Sequence, residues 1–255
     1  MFTVADRERI QQEIISWAEN DADVIGAALV GSSATGLQDE LSDIDLMLQI
    51  SEGADLDAVI VRWTSQLQES FDIAHTLDVV AGNGVLYRVF LTKASMQMDI
   101  SFWPEHEFRA TGERFKLLFG EANPATALPA ADPEQLIGMA WLYATHVRSA
   151  IARSEPWHAL SLLDDLRDYV FTLVCVRHDV NAHQLRGVDQ LPDSVLESFR
   201  HARPEGVTAN ELARSLREHT HLLLKETSHI DSHQAASLAV PLRLVGEFHS
   251  GGSSS

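Results

Sequence analysis

The chain has 255 residues, 45% of them hydrophobic, and a formal net charge of −18. That length and apolar share suit one large domain or two small ones with ordinary packed cores, and exclude wholesale disorder. The balance of 19 Lys and Arg against 37 Asp and Glu argues against a general nucleic-acid binder, which needs clustered cations to neutralise phosphates. A cationic acceptor would be attracted instead, and a local basic pocket for a nucleoside triphosphate is still compatible with the composition.

No run of about eighteen apolar residues occurs, so no membrane-spanning helix is expected. Residues 1–12 alternate charged and apolar positions without a signal-peptide core, and a cytoplasmic protein is the resulting expectation. The single cysteine, Cys175, sits in the apolar run 170–176 and reads as a small buried hydrophobe.

In chain order, the pattern predicts a helix over 6–19, a strand over 24–30 ending in Gly31-Ser32, a short turn or helix, and a strand over 42–50. A helix over 55–71 follows. Residues 73–80 and 85–92 flank Gly82-Asn83-Gly84, a strong hairpin signal, and a further strand over 97–103 stops at Pro104. From about Asn123 the composition shifts to Ala, Leu, Arg and His. The Pro-containing segment 123–133 reads as a linker. Beyond it, helices are predicted over 133–153, 157–178, 193–202 and 209–226, the last with a capping box at Thr208-Ala-Asn-Glu211. Residues 235–245 carry an apolar face suited to bundle packing or to a dimer. The expected class is α+β: a domain over 1–122 with a small mixed or antiparallel sheet and flanking helices, a linker over 123–133, and an all-α bundle over 134–249. Residues 250–255 read as a tag or linker remnant.

The segment that carries chemistry runs from Gly31 to Leu46. Residues two apart on a strand share a face, so Asp43 and Asp45 would stand side by side with Ile44 and Leu46 buried behind. Two adjacent carboxylates invite a hard cation, and Mg²⁺ is commonly held by a few Asp residues together with substrate phosphates. Gly31 and Ser32, after a strand, would let backbone N–H groups and a hydroxyl approach a phosphate. Asp99 lies mid-strand between the apolar Met98 and Ile100, where an unpaired charge is costly. If its strand neighbours the one bearing Asp43 and Asp45, metal coordination offsets that cost.

This pattern, Gly-Ser followed by Asp-x-Asp and a later strand Asp, resembles the polymerase-β-type nucleotidyltransferase superfamily over roughly 31–99. Within it the likeness is to antibiotic nucleotidyltransferases, which modify aminoglycosides or lincosamides and pair this domain with a helical one. The resemblance implies two Mg²⁺ ions, a nucleoside triphosphate donor with ATP favoured, and in-line attack by a small-molecule hydroxyl with pyrophosphate leaving. It places Asp43, Asp45 and Asp99 on the ions and Gly31, Ser32, Ser33 and Ser42 near the nucleotide. A general base helps such reactions by roughly 10²–10⁴-fold. Family members usually supply a carboxylate, for which Asp164, Asp165 and Asp168 are candidates, although local pairing with Arg167 accounts for them equally.

Other readings stay open. The acceptor could instead be RNA or protein, as in a toxin-antitoxin pair, although the low Lys content disfavours RNA. The domain could also bind nucleotide without turnover. Arg177 and His183 resemble the ribonuclease motif of HEPN helical domains, but an apolar helix ending in polar residues explains them as well. His219 and His221 are two apart on a helix and point away from each other, so neither forms a zinc site with the other. Asp39 and Glu40 read as exposed turn charges, and Phe102, Trp103 and Trp141 as core or cleft walls. Oligomeric state is not legible.

Overall fold

The computed structural model describes residues 2–35, 42–112, 114–126 and 131–247. Asp39, Glu40, part of the 123–133 segment and the tail 250–255 lie outside the described residues. The chain divides into two compact units, Met1–Leu128 and Pro129–Ser255.

The first unit is built in the order α1 (Val4–Asn20), β1 (Val24–Val30), α2 (Gly31–Thr35), β2 (Ile44–Ile50), α3 (Leu56–Ser70), β3 (Ile73–Val80), β4 (Leu86–Thr92), β5 (Gln97–Pro104) and β6 (Phe115–Phe119). The strands form one six-stranded sheet in the order β3-β4-β5-β2-β1-β6. Only β2 and β5 run parallel; the other four neighbouring pairs are antiparallel. The mixed sheet follows from the connection between β2 and β5, because α3 and the β3–β4 hairpin return the chain in its starting direction. Two local expectations need correction. Ser42 and Asp43 precede β2 instead of forming its first residues, and β6, which pairs antiparallel with β1, was not anticipated. Phe115-Lys-Leu-Leu-Phe119 lacks the clean alternation of a half-buried strand, and its pairing with β1 is a tertiary effect.

Capping sets the two long helices of this unit. The Thr3 hydroxyl accepts from the Asp6 amide at 3.2 Å while the Asp6 carboxylate accepts from the Thr3 amide at 3.0 Å, a reciprocal box at the start of α1. Asp55 caps α3 by accepting from the amides of Asp57 and Ala58. Both helices press apolar stripes on one face of the sheet: Ile10 and Ile14 from α1, Val59, Trp63 and Leu67 from α3, against Ile44, Leu46 and Leu48 of β2 and Met98, Ile100 and Phe102 of β5. Each such side chain contributes about 1.5–3 kcal/mol of burial. The alternate residues of β2 and β5 therefore point to the opposite face. There a smaller cluster of Ala28, Met47, Val85, Trp103 and Phe108 covers the end of the strands remote from Asp45 and Asp99.

The second unit comprises α4 (Pro133–Ala152), α5 (Pro156–Arg177), α6 (Asp193–Ala202), α7 (Ala209–Ile230) and α8 (Ser232–Gly246). Pro133 and Pro156 sit in first turns, where the missing N–H has no intrahelical role. Thr208 accepts from the Glu211 amide at 3.3 Å, but the Glu211 carboxylate accepts from the Glu205 amide, so only half of the expected box forms as drawn. The core gathers Val147, Leu166, Val170, Leu216 and Leu223 with Cys175 fully buried among them. Leu242 and Val245 of α8 are buried in it, whereas Leu244 stays 61% exposed. Trp141 is 41% exposed on α4, which excludes the core position and leaves the cleft-wall reading. Arg177 donates to Glu226 from Nε at 2.7 Å and Nη2 at 3.1 Å, and Glu226 is almost fully buried. That pair gives Arg177 a structural partner from α7, while His183 is exposed. No described helix is long and apolar enough to cross a membrane.

His219 lies at the heart of this bundle with its Nδ1–H donating to the Ser215 carbonyl at 2.9 Å. Burial pushes its pKa down from 6.5 to about 4. Because the folded value lies below the unfolded one, the unfolded chain takes up the extra proton first, and stability falls as pH drops from about 6.5 to about 4. The loss is of order 3 kcal/mol by the usual conversion. His219→Gln is expected to flatten this part of the stability profile, measured as urea-unfolding midpoints from pH 7 to pH 4.

Candidate active site

Asp45 is the first polar position of β2 and points away from the helices. The parallel register sets Asp45 opposite Asp99, just as Ile44 stands opposite Met98 and Leu46 opposite Ile100. Since both neighbours of each Asp are buried among the helices, both carboxylates emerge on the other face. Asp43, one residue before the strand and two before Asp45, joins them. One carboxylate oxygen from each of Asp43, Asp45 and Asp99 lies within 4.8 Å of the other two, and all three residues are half-buried.

These dimensions suit a hard divalent ion. Oxygens bound to octahedral Mg²⁺ stand about 2.9 Å apart when adjacent and about 4.1 Å when opposite, so small side-chain rotations would bring the three carboxylates onto a common ion. Electrostatics agree. Burial pushes the Asp99 carboxyl above its ordinary value, the Gln97 amide works against that by donating to Oδ1 at 2.9 Å, and the Asp43 charge pushes it further up. A cation is the partner that relieves such crowding of anions.

Gly31 has a more specific place than close approach to a phosphate. Its φ is +63°, and a Cβ there would fall 2.4 Å from Asp45 Oδ2. The residue thus has to turn the chain out of β1 and leave room for the Asp45 carboxylate at the same time. Ser33, buried in α2, directs its hydroxyl at the Asp43 carbonyl at 3.5 Å, linking α2 to the segment entering β2. Ser32 is half-buried in α2 and Ser42 is buried beside Asp43. Asp164, Asp165 and Asp168 stand on α5 of the other unit. Arg167 donates to Asp164 at 2.6 Å and to Asp168 at 2.8 Å, the local pairing expected of a helix surface. Gln97 was missed by the sequence reading, although its position two before Asp99 on the same strand was enough to put it on the same face.

Residues 10–88 match the family model described as the nucleotidyltransferase domain. The first unit thus carries a nucleotidyltransferase domain. The resemblance drawn from Gly31-Ser32 and Asp43-Ile44-Asp45 is met by this match, and the chain is a transferase of the nucleotidyltransferase type. Asp99 lies beyond the matched span and joins the other two carboxylates through the β2–β5 register alone. No curated protein sequence matches the chain. Among solved structures it is similar to an aminoglycoside 6-adenyltransferase from Bacillus subtilis, at 10% identity over 92% of this chain and 96% of that one, with a TM-score of 0.42. It is also similar to a nucleotidyltransferase-like protein from Exiguobacterium sibiricum, at 11% identity over 91% of this chain and 80% of that one, with a TM-score of 0.37. A third is the polymerase core of TRAMP, an RNA surveillance complex, at 18% identity over 86% of this chain and 55% of that one, with a TM-score of 0.28. All three are distant likenesses.

The nucleotidyltransferase domain can be probed at Gly31. Gly31→Ala is expected to cost about 1–3 kcal/mol from the left-handed backbone alone and to displace the Asp45 carboxylate. Thermal unfolding with and without millimolar Mg²⁺ reads both effects. The variant should melt lower than wild type, and, if the carboxylates hold Mg²⁺, the rise in Tm that the ion gives the wild type should be lost.

Proposed function

We propose that the chain transfers a nucleoside monophosphate, AMP from ATP, to a hydroxyl of a small molecule of the aminoglycoside or lincosamide antibiotic class, releasing pyrophosphate. The observation that carries this reading is the convergence of Asp43, Asp45 and Asp99 within 4.8 Å at the open face of a nucleotidyltransferase sheet. In this reading the three carboxylates hold two Mg²⁺ ions, and Gly31, Ser32, Ser33 and Ser42 lie against the nucleotide. Metal ions bound there would neutralise charge on the transferred phosphoryl group and on the leaving pyrophosphate. The residues themselves position: Gln97 fixes one oxygen of Asp99, Gly31 leaves room for Asp45, and Ser33 ties α2 to the Asp43 backbone. The acidic composition favours a cationic or neutral acceptor over RNA.

The test supplies the protein with Mg²⁺, ATP labelled at its α-phosphate and a panel of aminoglycosides and lincosamides, followed by mass spectrometry. The expected result is an acceptor heavier by one AMP that carries the label, with kcat/KM reduced by at least about 10²-fold in Asp45→Asn, the scale for removing one electrostatic stabiliser. Label transferred equally well by Asp45→Asn would show that the carboxylates are not the site.

A further inference from the structure

The face of the sheet that bears the carboxylates continues past Asp99 toward the edge. Asp99 stands opposite Val89 in the β4–β5 register, and Val89 stands opposite Leu77 in the β3–β4 register. By the same pairing His75 aligns with Leu91, and Val79 with Tyr87. The intervening residues face the helices: Phe90 is in the core, and Arg88 reaches the Thr64 hydroxyl of α3 at 2.6 Å while gripping Asp78. Leu77, Val79 and Leu91 are 55%, 49% and 46% exposed, so an apolar strip begins one strand spacing from the carboxylates and lies open. Among the described residues of β3, β4 and β5, Asp99 is the one carboxylate on this face, since Asp78 lies on the other.

Sheet order says what belongs on the strip. In-line displacement puts the attacking and leaving oxygens on opposite sides of the phosphorus. On the reading of the preceding subsection, on which this inference rests, the departing phosphates lie toward Gly31 and Ser32, at the β1 side of Asp45. The attacking hydroxyl then comes from the Asp99 side, with the body of its molecule over β4 and β3. We infer that Leu77, Val89 and Leu91 form the acceptor subsite and select a hydroxylated acceptor with an apolar flank over a polycationic sugar. A polycation would need carboxylates along this strip, and beyond Asp99 it meets aliphatic side chains and His75. Within the antibiotic classes considered above, this favours the less charged, apolar-substituted members.

The test uses methyl and hexyl glucoside, which share a hydroxylated headgroup and differ in their apolar tail, with the full chain, Mg²⁺ and ATP. Binding is read by calorimetry with a non-hydrolysable nucleotide, and transfer by pyrophosphate release. The expected result is at least about tenfold tighter binding and lower KM for the hexyl compound, in line with burial of part of its methylene chain. Leu77→Gln combined with Leu91→Gln should erase that difference. Both leucines are about half exposed, so the fold should persist, and Val61→Gln on the exposed surface of α3 serves as the matched control. A flat response to tail length in wild type, or a tail preference that survives the double substitution, overturns the inference. So does a dimer in sedimentation that the double substitution dissolves, because a second copy would then own the strip. Tail-dependent binding without any Asp45-dependent transfer would sink the transferase reading alone, whereas transfer without tail dependence would sink only this one.

Discussion

Seven residue pairs join β2 to β5 in parallel, from Ile44 opposite Met98 to Ile50 opposite Pro104, and the meeting of Asp99 with Asp43 and Asp45 hangs on that register. Side chains alternate along a strand, so a slip of one residue would turn Asp99 into the helix-covered core and bring Met98 and Ile100 out to solvent. Burial of Ile44, Leu46, Leu48, Met98, Ile100 and Phe102 under α1 and α3 opposes such a slip with several apolar side chains, each worth about 1.5–3 kcal/mol. Packing on one face thereby holds an arrangement of like charges on the other that would not assemble by itself.

The two faces divide the work of the sheet. The helix side is continuous and apolar. The other side is covered at one end by Met47, Trp103 and Phe108, while the carboxylates stand half-buried at the other end. Partial burial matters because it raises the cost of the uncompensated Asp99 charge and so strengthens the case for a cation. Gly31 shows how closely backbone and site are coupled: one residue both leaves β1 in a left-handed conformation and makes space for Asp45.

Much of this was legible in the sequence because the decisive signals are local. Asp43-Ile44-Asp45 alternates at the entry to β2 and Gln97-Met98-Asp99 along β5, and Gly82-Asn83-Gly84 marks the hairpin, with Asn83 at φ 65°. That the two Asp-bearing strands adjoin was an expectation conditional on topology, and no local pattern could decide it. β6 escaped notice because Phe115 to Phe119 owes its strand to pairing with β1. The need for Gly31 to leave room for the Asp45 carboxylate is equally non-local, so the sequence suggested only its place near a phosphate. For Trp141 the residue type offered a core or a cleft wall, and its exposure on α4 excludes the core. In the helical unit, the Arg177 and His183 spacing was ambiguous in sequence, and only the packing of α5 against α7 revealed Glu226 as the partner of Arg177.

The most direct measurement of the central claim is an electron paramagnetic resonance titration of Mn²⁺ into the protein with an α,β-methylene nucleoside triphosphate, repeated for Asp43→Asn, Asp45→Asn and Asp99→Asn. If the β2–β5 register builds one metal site from the three carboxylates, each substitution weakens saturable Mn²⁺ binding by at least about tenfold, the lower end for disturbing a metal site's immediate surroundings. Mn²⁺ affinity unchanged in Asp99→Asn would contradict the account, since the residue that only the register brings into the cluster would then have no part in it.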